Sequence, residues 1–258
     1  MTTRAGAVRL RVDGDVLHAT IDRPQARNAI DHEVVDGLAA TVATAREAGV
    51  KVVVLRGAGG SFCAGADLKL VRSLLDDPAG LDAFLSRLGA VFEQLERAPW
   101  VTVAVVEGHA VAGGCELLLA CDVVIAADDA RIGDAHVERG LVPGGGSSVR
   151  LPRTVQRLRA RWLLLSGETV SGAAAVDLGL ATFAVPAGEL DAEVERIVAR
   201  LSSRGRATLA TVKAMLAEEP GAPAGDTPSR LRRELDLFLA HVTDAPDART
   251  GLDAFVQR

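Results

Sequence analysis

Three short stretches of this chain carry almost no polar side chains and are rich in β-branched residues: Lys51-Val-Val-Val-Leu55, Val101 to Val106, and Asp122 to Ala127. Runs of this length and composition suit strands buried on both faces, and such strands occur in parallel sheets whose two sides are covered by helices. That restricts the chain to an α/β architecture. The first run follows an amphipathic stretch at 31–48, opened by Asp31 as a capping residue, and before that an alternating hairpin pattern. In the hairpin Val8, Leu10 and Val12 answer Leu17, Ala19 and Ile21 across an Asp13-Gly14 turn. Strand, helix and strand in this order make a βαβ crossover, which is right-handed in nearly all proteins. Phe84, Leu88, Val91 and Leu95 repeat at helical spacing before Pro99, and a short apolar helix is expected at 115–121. Beyond about residue 150 the texture becomes helical. Segments 151–166, 171–178, 188–203, 206–218 and 228–243 read as helices, with one short strand near 181–185 and a Pro/Gly connection from Glu219 to Pro228. The division expected is an α/β core over 1–195 and a helical C-terminal region over 196–258.

With 258 residues the chain can bury a full core without disulfides or metal. A net charge of −5 and an aromatic content of 3% provide neither the cationic stripe nor the stacking rings that nucleic acids require, so no nucleic-acid partner is expected. No apolar run approaches the roughly 20 residues of a membrane span. Cys63, Cys115 and Cys121 form no CxxC pair, and a reduced, cytoplasmic setting is the expectation. Gly57-Ala-Gly-Gly-Ser-Phe62 begins like a dinucleotide fingerprint, but Phe62 stands where the third glycine belongs. Gly140 to Ser147 lacks the lysine of a phosphate loop, and His32-Glu33 lacks the second histidine of a zinc helix. Neither a nicotinamide, ATP nor a metal is expected.

Two glycine-containing loops remain, each following a buried strand and preceding a helix: Ser61 to Leu68 and Val106 to Glu116. Small side chains there leave backbone N–H groups open at the positive end of a helix. Two such groups converging on one point make an oxyanion hole. Glu116, beside glycines and ahead of Leu117-Leu-Leu119, is placed to face an apolar wall that tunes its pKa for acid–base work; the plainer reading is a glutamate favoured by the helix dipole.

Taken together, Ile21-Asp-Arg-Pro-Gln-Ala-Arg-Asn28, Phe62-Cys-Ala-Gly-Ala-Asp67, Ala112-Gly-Gly-Cys-Glu116, Asp122-Val-Val-Ile-Ala126, Gly140-Leu-Val-Pro-Gly-Gly-Gly146 and Asp247 to Phe255 resemble the crotonase (enoyl-CoA hydratase/isomerase) superfamily. The resemblance implies a spiral of β–β–α turns with a C-terminal helical region used for trimerisation, giving a homotrimer or a dimer of trimers. It implies an acyl-CoA thioester as substrate rather than a cofactor, with oxyanion donors at the backbone N–H of Ala66 and Gly113. CoA or substrate contacts fall at Arg23, Ala26, Arg27, Ala64, Asp67, Leu68 and Lys69. Glu116 matches the first catalytic glutamate. His136 stands where hydratases carry the second, with Glu138 two residues on as the other candidate and Asp134 two residues before. His109 and Cys115 read as structural. The implied reaction is addition of water to a 2-enoyl-CoA. Isomerisation, decarboxylation and thioester hydrolysis through the same enolate are alternatives, as is a catalytically weak binding paralogue.

Overall fold

The computed structural model describes residues 2–217, 227–248 and 250. The chain opens with β1 (Thr2–Ala5), β2 (Val8–Asp13) and β3 (Val16–Ile21), an antiparallel meander. Asp13 pairs with Val16, so the hairpin loop is Gly14-Asp15, one residue later than the pattern suggested, with Gly14 at φ 56°. β1 is exposed and carries no apolar alternation, which is why sequence reading passed over it. Helix α1 (His32–Ala48) starts where expected. The Asp31 side chain accepts from Val34 N, and Val34, Val35, Leu38, Val42 and Ala45 are buried.

The three apolar runs become β4 (Val52–Gly57), β5 (Val101–Val106) and β7 (Val123–Ala127). Between them lie α2 (Leu68–Ser73), α3 (Pro78–Glu96), β6 (His109–Val111) and α4 (Gly113–Leu119). After β7 come β8 (Arg131–Gly133), α5 (Ser147–Thr154), α6 (Arg157–Ser166), β9 (Val170–Ser171), α7 (Gly172–Leu178), β10 (Phe183–Val185), α8 (Leu190–Ser202), α9 (Arg206–Leu216) and α10 (Thr227–Asp244). The large sheet has the order β1-β2-β3-β4-β5-β7-β10 and is parallel from β3 onward. A second sheet, β6-β8-β9, is built from strands of two or three residues, too short to show a period in sequence.

The two sheets grow in step. After β4 the chain makes a single bridge from Cys63 to Ala110 and enters α2. After β5 it forms β6 and enters α4, and after β7 it forms β8 and leads to α5. Each β–β–α turn therefore adds one strand to the large sheet and one rung to the small one, in the same order. This is the spiral that the resemblance implied. The expected helix at 151–166 is two helices, α5 and α6, separated at Val155, whose backbone is extended. The division expected at residue 195 runs through the middle of α8, where Leu190, Val194, Ile197 and Val198 are buried. Lys213 docks α9 on the core: its Nζ lies 2.6 Å from Asp122 and donates to the carbonyls of Leu95 and Trp100. The final segment, beyond residue 250, and most of the 219–228 connection lie outside the described residues. Among those described, no helix is long and apolar enough to cross a membrane.

Candidate active site

The spiral brings the two glycine-containing loops side by side. Cys63 N donates to His109 O and Val111 N to Cys63 O, which aligns the loop after β4 with β6. Ile30 N donates to Gly65 O and Asp67 N to Ile30 O, clamping the backbone on either side of Ala66. This one-sided bridge turns the Ala66 N–H away from residue 30. On the other loop, Ala112 adopts φ 51° and ψ −122°, a conformation that L-residues seldom hold and that collects at functional turns. The chain then enters α4 at Gly113, whose N–H has no intrahelical partner. Neither Ala66 N nor Gly113 N donates to a group among the described residues. A Cβ built on Gly113 would stand 3.2 Å from Ala66 N, and one on Gly65 would stand 3.0 Å from Gly113 N. Two open donors and no intervening side chain make the arrangement an oxyanion hole requires.

Both loops border a cavity of about 420 Å³. Arg27, Ala64, Ala66, Leu68, Ala112 and His136 are on its wall. So are three groups that sequence reading did not assign to a site: Arg131, Arg139 and His109. His109 and Arg131 face each other across the β6–β8 ladder. Burial, then the charges of Arg27 and Arg131, holds the His109 pKa below the ordinary histidine value. The neighbourhood of the two open N–H groups is thus cationic although the whole chain is acidic.

His136 opens a 3-10 turn (His136–Arg139) reached through Ala135, which sits at φ 52°. Its Nδ1 lies 3.0 Å from Asp134 Oδ2, and its N–H reaches Asp134 Oδ1 at 3.4 Å. The Asp134 carboxylate is fully buried. Burial alone would lower the His136 pKa, but the Asp134 hydrogen bond and charge, with the Glu116 charge, raise it above the ordinary value. Glu116 is 2% exposed and lies behind the wall rather than on it. Its Oε1 accepts from Gly145 N at 2.7 Å and Ser147 N at 3.1 Å, so it caps α5, whose own N-cap, Gly146, has no side chain to do so. Burial raises the Glu116 pKa, against the lowering effect of those two N–H groups and of His136.

The other expected contacts divide. Ala26 lies in a 3-10 turn, Pro24–Ala26, beside the cavity residue Arg27. Of the three cations expected among the CoA or substrate contacts, Arg23, Arg27 and Lys69, Arg27 alone is on the wall. Arg23 is held inward by Asp31 at 3.1 Å and Asp67 at 3.0 Å. Asp67 also caps α2 by accepting from Lys69 N, and the Lys69 side chain is exposed and does not line the cavity. Cys63 and Cys115 are buried, and burial pushes the Cys63 thiol up to about 12, which leaves no thiolate nucleophile there. No cluster of three or more metal-ligating side chains occurs among the described residues.

Comparison with known proteins bears on the fold and the family. The enoyl-CoA hydratase/isomerase family profile matches residues 11–258. The chain is 34% identical to an enoyl-CoA isomerase/hydratase of Mycosarcoma maydis, covering 94% of this chain and 90% of the relative. It is 35% identical to a probable enoyl-CoA hydratase of Mycobacterium bovis, covering 93% and 90%. The crystal structure of a Mycobacterium smegmatis enoyl-CoA hydratase superposes with a TM-score of 0.90 at 31% identity, over 97% of this chain and 96% of that one. The fold is therefore the crotonase fold, and with a family match across nearly the whole sequence the chain belongs to the enoyl-CoA hydratase/isomerase family.

Proposed function

We propose that the protein adds water to a 2-enoyl-CoA, using Ala66 N–H and Gly113 N–H to stabilise the thioester enolate. The observation that carries this reading is the pair of adjacent open N–H donors, Ala66 on the cavity wall and Gly113 directly after the wall residue Ala112, with a carboxylate-paired histidine on the same wall. The donors hold the thioester oxygen, which draws electrons from the β-carbon and accepts the charge that develops when water attacks it. Glu116, with Oε1 fixed by Gly145 and Ser147, has Oε2 left to orient water and take its proton. The His136 imidazolium then protonates the α-carbon, and the proton taken up by Glu116 passes to the neutral His136, which restores the starting imidazolium and carboxylate. Arg27, Arg131 and Arg139 supply charge-assisted partners for an anionic handle. Coenzyme A is thus part of the substrate and not a redox cofactor.

One observation favours a second reading. Glu116 lies behind the wall while His136 is on it, which suits a one-base reaction such as shifting a 3-enoyl double bond or hydrolysing the thioester. A panel of 2-enoyl-, 3-enoyl-, malonyl- and aryl-CoA thioesters separates these readings, with products identified by mass spectrometry. Formation of 3-hydroxyacyl-CoA from crotonyl-CoA, lost in His136→Ala, is the expected result. Turnover of 3-enoyl-CoA alone would move isomerisation ahead, and release of free CoA without hydration would indicate hydrolysis. Binding without turnover of any thioester would overturn the catalytic reading.

A further inference from the structure

We infer that Asp134 is a positioning residue that fixes His136 with its proton on Nδ1 and leaves Nε2 as the proton-exchanging atom on the cavity wall. The proposal rests on the acid–base role given to His136 above and deepens it: an Asp–His pair does the work for which the family pattern uses one carboxylate.

The argument begins with what a buried carboxylate can accept. Asp134 is fully buried, and each of its oxygens faces a His136 nitrogen, Oδ2 the ring Nδ1 and Oδ1 the backbone N–H. An ionised carboxylate only accepts, so Nδ1 must carry the hydrogen of the 3.0 Å bond. In the neutral ring the lone pair then sits on Nε2. Nε2 makes no hydrogen bond among the described residues, and His136 is on the wall shared with Ala66 and Ala112. Ala135, between the two partners, is held in left-handed geometry, a strain that persists where surrounding contacts impose it.

The turn-capping contact, at 3.4 Å, is the longer of the two and is the competing explanation for Asp134. Other titratable groups lie on the elements packed around His136. Glu116 approaches from α4, and the cavity wall carries Arg27, His109, Arg131, Glu138 and Arg139, while α6, packed against the turn, carries Arg157, Arg159 and Arg161. Asp134 contributes a direct hydrogen bond as well as charge. It is the partner whose removal is expected to move the ring furthest.

Nitrogen-15 histidine NMR on the full chain tests this, with His136→Gln identifying the His136 resonances. The expected result for the unmodified protein is a titration midpoint above the ordinary value of about 6.5 and a neutral form with hydrogen on Nδ1. A neutral form with hydrogen on Nε2 overturns the proposal without recourse to Asp134→Asn, so a failure of that variant to fold does not shield it. Asp134→Asn keeps an acceptor but loses the charge, and the midpoint is expected to fall by about one pH unit, roughly 1.4 kcal/mol. An unchanged midpoint and tautomer in a folded variant would make Asp134 a turn cap and nothing more.

Activity gives the second readout. With crotonyl-CoA, kcat of Asp134→Asn is expected to fall about 10²-fold, KM to change by less than about threefold, and the histidine limb of the pH profile to move with the NMR midpoint. Loss of activity with an unmoved limb would again overturn the proposal. If the unmodified protein turns over no thioester while its His136 titration responds to Asp134→Asn, the pairing stands and hydration is the reading that fails.

Discussion

Glu116 shows how one buried carboxylate serves two purposes with opposite energetic signs. Its two backbone donors stabilise α5, while its burial raises its pKa. A carboxyl group whose pKa is higher folded than unfolded gives its full stabilisation below the unfolded value. That contribution is lost as pH rises through the folded value, so ionisation costs stability at neutral pH. Glu116→Gln keeps an oxygen acceptor for Gly145 and Ser147 without the charge. The variant is expected to melt at or above the unmodified protein at pH 7, with the difference vanishing near pH 4, while kcat falls about 10²–10⁴-fold. A lower Tm at pH 7 would mean that the ionised cap outweighs the desolvation. At this scale the sequence was readable where backbone pattern decides: the loops of Ala66, Gly113 and Glu116 sit where their motifs implied. It was unreadable where a long side chain chooses between partners. Arg23 turns inward to Asp31 and Asp67, one of them 44 positions away, and Asp134 was noted only by its spacing because its importance lies in a ring contact.

The elements explain which glycines the site requires. In the turn before α5, a Cβ on Gly145 would meet Glu116 Oε2 at 2.6 Å and Phe92 at 3.2 Å, whereas one on Gly144 would touch only Leu85 at 3.6 Å. Gly145→Ala must therefore displace the carboxylate or the Phe92 ring, and is expected to cost about 1–3 kcal/mol of stability together with most of the activity. Gly144→Ala is expected to be close to neutral in both. Chemical denaturation and crotonyl-CoA turnover of the two variants check the contrast, and equal effects would contradict this account of Glu116. The sequence showed this segment as glycine-rich, and its likeness to the family's loop was visible. The start of α5 at Ser147 was not, because its cap comes from another element. The small sheet was hidden for a related reason: its strands of two or three residues are held by the spiral around them, not by any period of their own.

At the scale of the whole molecule, what stands out is apolar surface left uncovered among the described residues. Leu158, Trp162 and Leu165 on α6 are 76%, 56% and 79% exposed, and their spacing of four and three residues places them on one helical stripe. On α10, Leu231, Leu235, Phe238 and Leu239 are each about half exposed, while α9 offers Val212 and Leu216. Exposed apolar patches of this kind mark contact surfaces, and repeated copies most often cover them through closed symmetry. The family resemblance supplies the symmetry: a trimer, or a hexamer made of two trimers, is the expected state, and sedimentation at micromolar concentration checks it. The two tryptophans provide an internal reporter. Trp100 is 2% exposed within the subunit, so its emission should be indifferent to assembly, whereas burial of the Trp162 face would shift the remaining emission to shorter wavelength. Dilution is therefore expected to move the spectrum toward longer wavelength as subunits separate, and Leu165→Glu, which puts a charge on the stripe, to bring that transition to higher protein concentration. A sedimenting monomer would refute the assembly outright. A trimer whose Trp162 emission and Leu165→Glu variant behave as in the separated subunit would move the interface from α6 to the α9–α10 face.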